Sequence, residues 1–281
     1  MSDQINDIHA KLEARDAEIR RLEQANKRLR SALSANKSGK RSLKRLLSLR
    51  TMGRIKRRGL FDEPYYIEQA GQRGIALTSN PLWHYISKGY YHGLNPHILF
   101  STEWYLSENP DVLHSGMNPL IHYLKYGYKE GRDPHPIFNN EYYISKFEAE
   151  EFELISPLEH YLTSSENNSS SPSAQFDPIW YLQAYPDIAK SNLRPLEHYL
   201  RYGHKELRNP SLNFNEDWYK KSYINENEYL HSSLEHFVSK GFAQGNRVNA
   251  THGAFLPTEI DNSLRKTVLV VAHSVLSLIH I

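Results

Sequence analysis

Five histidines recur at nearly constant spacing in this 281-residue chain: His84, His122, His160, His198 and His236. Imidazoles at regular intervals could bind a metal ion, relay protons or serve as general bases. A shared metal site would need their nitrogens within about 2 Å of one ion. Equivalent residues on neighbouring helical units stand about 8–10 Å apart. No second ligand type follows the same period, and the absence of cysteine excludes thiolate sites and disulfides. The histidines are therefore expected to be structural, each a hydrogen-bonded group tying a helix to the adjoining turn. No catalytic, cofactor-binding or metal-binding residue is assigned on this reading.

The histidines sit inside a larger pattern of about 38 residues that occurs five times. It is anchored by Phe61, Phe100, Phe138, Phe176 and Phe214. An aromatic pair follows each anchor: Tyr65-Tyr66, Trp104-Tyr105, Tyr142-Tyr143, Trp180-Tyr181 and Trp218-Tyr219. A period of this length marks a stacked-repeat architecture whose single unit cannot bury its apolar face alone. The fourth copy is the clearest. Asp177 and Pro178 open a helix, Pro186-Asp187 interrupts it, and Pro195 opens a second helix with Leu196, Tyr199 and Leu200 on one face. Gly203 is expected to be a left-handed stop, matched by Gly89, Gly127 and Gly241. The third copy has Ser165 instead, followed by a polar stretch to Ser171 expected to be the most mobile loop. Glu130/Arg132 and Glu206/Arg208 are expected to pair at turns, each adding only about 0–1 kcal/mol if exposed. The aromatic pairs are expected in the core, although a groove of tyrosines could also bind sugar rings.

The fold class expected is all-α, with a five-unit helical-hairpin array over 60–250. Residues 1–36 precede it as a coiled coil. Ile5, Leu12, Ile19, Asn26 and Leu33 fall at a positions, and Ile8, Arg15, Leu22 and Leu29 at d, seven of the nine large and apolar, so residues 5–33 could form a homodimer. Residues 37–59 are a basic amphipathic linker carrying no acidic residue from Lys37 to Arg58. Lys40, Arg41, Lys44, Arg45, Arg54, Lys56, Arg57 and Arg58 are candidates for contact with an anionic membrane surface, with Leu43, Leu46 and Leu47 as an apolar face. A linker whose leucines pack on the first copy, or nonspecific nucleic-acid binding, would fit the same residues. Net charge is only +2 and no nucleic-acid motif accompanies the basic run, which disfavours nucleic acid as a partner. No apolar run is long enough to span a bilayer.

After a linker at 251–265, residues 266–275 read as one buried strand, Lys266 to Val275. Such a strand commonly opens a doubly wound α/β domain, and His273 at its exit would face the crevice. One strand makes no domain. The last six residues, Leu276 to Ile281, look like translated sequencing adapter, so the natural protein is expected to continue.

The pattern Phe-Asp-Pro-x-Trp-Tyr-Leu-x-x-Tyr-Pro-Asp-Ile, followed by Pro-Leu-x-His-Tyr-Leu-x-x-Gly-x-x-Glu-x-Arg-x-Pro, is read at Phe176–Pro210. It resembles repeats found beside glycosyltransferase domains in bacterial surface-polysaccharide enzymes, in particular rhamnan-synthesis and related nucleotide-sugar-dependent transferases. The resemblance covers about residues 60–250, and the strand at 266–275 looks like the start of such a transferase domain. It implies a non-catalytic scaffold or targeting region of a glycosyltransferase, cytoplasmic and peripheral to the inner membrane, with a protein or glycan partner on the array. A nucleotide sugar is the cofactor expected of the transferase domain, not of these residues. The alternative is a stand-alone helical adaptor that binds another protein.

Overall fold

The computed structural model describes residues 51–164, 169–191, 193–224 and 232–250. The coiled coil, the basic residues Lys40, Arg41, Lys44 and Arg45, the Ser165–Asn168 turn and the strand at 266–275 all lie outside them. Within them the chain is helical, with no β-strand beyond isolated antiparallel bridges at His97–Phe100, His135–Phe138 and Ser211–Phe214. Helix α1 covers 51–57. Then follow α2 (Glu63–Gln72), α3 (Pro81–Ser87), α4 (Thr102–Glu108), α5 (Pro110–Ser115), α6 (Pro119–Lys125), α7 (Asn140–Ile144), α8 (Pro157–Thr163), α9 (Pro178–Ala184), α10 (Pro195–His198), α11 (Glu216–Tyr223) and α12 (Ser233–His236). Copies one to five of the sequence pattern, starting at the five phenylalanines, thus each hold an opening helix and a closing one.

Local chemistry sets the helix starts. Asp62, Ser101, Asn139, Asp177 and Asn215 each cap the opening helix of their copy with a side-chain oxygen that accepts a backbone N–H. Closing helices α3, α6, α8 and α10 begin with proline, which needs no N–H partner there. In the fifth copy Ser232 and Glu235 form a capping box in place of that proline. Each copy is then closed by one backbone bond. The cap residue's N–H donates to a carbonyl 33 or 34 residues on: Asp62 to Pro96, Ser101 to Pro134, Asn139 to Pro172, Asp177 to Pro210 and Asn215 to Val248, at 2.8–3.1 Å.

The core is aromatic. Tyr66, Tyr105, Tyr143, Tyr181 and Tyr219 are each 0% exposed. Each lies 5.1–5.6 Å, centroid to centroid, from the phenylalanine that opens its copy. Each also meets, edge-on, a ring in the closing helix or just after it: Tyr85, Tyr123, Tyr161, Tyr199 and Phe237, at 5.8–6.2 Å. Edge-to-face contacts place the positive rim of one ring on the negative face of the next, adding about 0.5–1.5 kcal/mol beyond area burial. Only the second residue of each aromatic pair is in the core. Tyr65, Trp104, Tyr142, Trp180 and Trp218 are partly exposed, because adjacent helical positions point about 100° apart.

The glycines require a correction. Gly89, Gly127, Gly203 and Gly241 are not left-handed stops. The left-handed backbone lies four residues later, at Gly93, Gly131, Leu207 and Gly245, with φ of 67°, 73°, 58° and 72°. The earlier glycines answer to a different constraint. A methyl group on any of them would overlap the phenol oxygen of Tyr66, Tyr105, Tyr181 or Tyr219 respectively. Here glycine is needed for space, and four residues on for backbone conformation.

Candidate functional site

The periodic histidines pair with the buried tyrosines. The phenol oxygen of Tyr66 lies 2.6 Å from Nδ1 of His84, and Tyr105–His122, Tyr143–His160, Tyr181–His198 and Tyr219–His236 repeat the bond at 2.9–3.0 Å. Through Nδ1 each histidine therefore joins the closing helix to the opening helix of its own copy, a helical partner where a turn was expected. Burial pushes the tyrosine hydroxyls well above their usual range and pushes His84, His122 and His198 below theirs. In the pairs of His84, His122 and His198 both partners are then neutral, so the hydroxyl donates and Nδ1 accepts. In copies one, two, four and five a glycine beside the phenol leaves room for this bond.

The third copy extends it. His160 Nε2 lies 3.1 Å from Glu151 Oε2, giving a Tyr143–His160–Glu151 chain. The order resembles a nucleophile, a base and an orienting acid. Its terminal hydroxyl is fully buried, and burial holds it protonated. Among the described residues no group of three or more His, Asp or Glu is placed to hold a metal ion.

A second set of polar groups joins parts of the chain far apart in sequence. Arg54 on α1 donates from Nε and Nη2 to both carboxylate oxygens of Glu159 on α8, each at 2.6 Å, across 105 residues. Glu159 is 0% exposed. Arg201 pairs with Asp62 across 139 residues and lies over the Tyr65 ring, 5.2 Å from its centroid. Burial alone would raise the Asp62 carboxyl, but the Tyr65 N–H and the Arg201 guanidinium outweigh it and hold it low. His135 Nε2 meets Glu235 Oε1 at 3.2 Å. Its Nδ1 accepts the N–H of Ile137, as that of His97 accepts Leu99 N–H, so Nε2 carries the hydrogen. His97 is fully buried near Glu197, Asp62, Arg201 and Arg194. Burial pushes its basicity down, opposed by the two carboxylates.

These contacts obey one rule. Copy four meets copy one, copy five meets the end of copy two, and copy three meets α1, which precedes copy one. Glu159, Glu197 and Glu235 occupy the same position in copies three, four and five, 38 residues apart, each just before the periodic histidine. Copies one and two carry Trp83 and Ile121 there instead. The three glutamates, His97 and His135 lack the five-fold recurrence that marks His84 to His236 in the sequence. Their signal was a 38-residue spacing confined to part of the chain.

Of the described membrane-surface candidates, Lys56 and Arg57 are exposed, while Arg58 is half-buried and Arg54 is engaged with Glu159. No helix among the described residues is long and apolar enough to cross a membrane. The predicted turn pairs form, Arg132 with Glu130 at 2.7 Å and Arg208 with Glu206 at 2.5 Å, and each arginine also reaches an aspartate, Asp111 or Asp187. No protein-family model, curated protein or solved structure matches the chain.

Proposed function

We propose that residues 60–250 form a five-unit array of helical hairpins that coils so that each copy rests on the one three places before it. In this reading the array is the non-catalytic scaffold of a bacterial glycosyltransferase that builds cell-surface polysaccharide. The coiled coil over 5–33 joins two chains, and the basic linker holds the array at the cytoplasmic face of the inner membrane. A protein or glycan binds the partly exposed aromatic rows.

The observation that carries the scaffold role is where the titratable groups are used. Each periodic histidine is bonded to a buried tyrosine, and the long-range acids are bonded to bases of distant copies. Such commitments make a rigid support and leave no free nucleophile or base at those positions. The motif resemblance at Phe176–Pro210 supplies the link to polysaccharide synthesis.

Sequencing the genomic locus tests this reading. Further α/β units with an acidic nucleotide-sugar site in the same reading frame are expected. A stop codon with no such units would leave the adaptor reading in its place. Sedimentation with anionic liposomes tests the membrane role: binding should fall when Lys40, Arg41, Lys44 and Arg45 are replaced by glutamine, and unchanged binding would contradict it.

A further inference from the structure

In copies two and four the periodic histidine is held by one ring nitrogen, and the other has no partner among the described residues. His122 and His198 accept from a tyrosine at Nδ1, so Nε2 carries the hydrogen. The two residues are buried, 9% and 8% exposed, yet neither Nε2 is sealed from solvent. In copy three the same nitrogen meets Glu151, which comes from the segment between the opening and closing helices. Copies two and four bring other groups to this place. Arg132 donates to Asp111 and Glu130 at 2.8 and 2.7 Å, and Arg208 donates to Asp187 and Glu206 at 2.9 and 2.5 Å. All three charged groups lie close enough to the histidine of their copy to act on it electrostatically. Tyr126 and Tyr202 complete the set. Each is 50% exposed, with its ring centroid 5.6 or 5.8 Å from that of the imidazole.

A ligand for this set must offer an acceptor to the Nε2 hydrogen, donors to the carboxylates, and an apolar face to a phenol ring. A hydroxyl both donates and accepts, and a pyranose ring carries hydroxyls on its rim around faces made of C–H groups. Two acids against one arginine leave each cluster with a formal charge of −1, which disfavours phosphates, acidic sugars and nucleic acid. A cation would suit the carboxylates but would find a donor, not an acceptor, at Nε2. We propose that copies two and four each hold a subsite for an uncharged sugar ring. The ring stacks on Tyr126 or Tyr202, and His122 or His198 and the two carboxylates bind its hydroxyls. Copies one, three and five lack this platform, with Lys88, Ser164 and Lys240 at the position of the tyrosine. The proposal deepens the glycan-binding option above and rests on it, but places the ligand away from the rows of Trp104 and Trp180.

The test is a ligand-observed NMR titration of the full chain with methyl α-D-mannoside, methyl β-D-galactoside, methyl β-D-glucoside and methyl β-D-glucuronide. At least one neutral glycoside should bind, and more tightly than the glucuronide, which differs from the glucoside only by its carboxylate. Tightest binding by the glucuronide would overturn the uncharged class. Tyr126→Ser with Tyr202→Ser should weaken the neutral glycoside about tenfold, the equivalent of about 1.4 kcal/mol. Both tyrosines are half-exposed and copy three has serine at this position, so the fold tolerates the change. Tyr126→Phe with Tyr202→Phe keeps the rings and should retain binding; an equal loss there would overturn the stacking. Undiminished binding in the serine variant would overturn the subsites and leave the glycan option standing on the Trp104 and Trp180 rows. Failure of every neutral glycoside to bind the natural chain would overturn both.

Discussion

At Tyr105 and Gly127 two residues share one small space, and the structure makes them interdependent. Tyr105→Phe removes the hydroxyl that serves His122 and leaves a buried acceptor unpaired, a cost of about 1–3 kcal/mol. Gly127→Ala drives a methyl into that hydroxyl, a cost of about 1–3 kcal/mol. Combined, the changes should cost at least about 1 kcal/mol less than their sum, since phenylalanine lacks the clashing oxygen and its Cζ site lies 3.4 Å from the new methyl. Urea unfolding of the four proteins measures this, and strict additivity would count against the close approach. Asp133 gives a pH prediction. It accepts the Asn140 N–H at 2.7 Å, where Asn95 and Asn209 do the same for Thr102 and Glu216. Burial pushes its carboxyl up from 3.8 to about 7. The folded state keeps a proton that the unfolded state releases near 3.8, so the associated stability is present at low pH and lost as pH rises through about 7. Asp133→Asn keeps the acceptor and removes the titration. Its urea midpoint relative to wild type should rise between about pH 4 and pH 8, and a constant difference would contradict the buried acid. Glu216, also pushed up to about 7 by burial, contributes with the same sign. His204, pushed down by burial to about 4, has the opposite sign: stability falls as pH drops from about 6.5 through 4.

At the scale of the element, the fourth copy departs from the others at Leu207, which adopts φ of 58° where copies one, two and five have glycine. A side chain in left-handed backbone costs roughly 1–2 kcal/mol. Leu207→Gly should therefore stabilise the protein by about 1 kcal/mol, somewhat offset by the greater freedom of the unfolded chain. A thermal or urea midpoint that falls would contradict the backbone assignment. Helix starts and the interruption before Ile188 were legible in the sequence, because caps and prolines act on their own neighbours. The histidines were legible as a periodic set, yet their hydrogen-bond partner was not. Tyr105 and His122 are 17 residues apart, and only the angle between two helices brings them together. The glycine before the turn misled for a related reason. Gly127 looks like a helix stop, but its role is set by a tyrosine of another helix.

Over the whole molecule, the helical character of the described residues was readable and the contacts between distant parts of the chain were not. An array of stacked hairpins could have run out as an open rod. Instead Asp62 meets Arg201, and Arg54 meets Glu159, so the chain returns on itself after three copies. Glu159, Glu197 and Glu235 mark that return, but their partners lie about 100 residues away, beyond the reach of periodicity or capping. The most direct test is a double-mutant cycle on Arg54→Met and Glu159→Gln, read by urea unfolding of the full chain. With one partner buried and the other about a third exposed, the stacked coil predicts a coupling of about 1–2 kcal/mol. Effects that add to within about 0.3–0.5 kcal/mol would show that residues 54 and 159 do not meet, and the coil would fall with them.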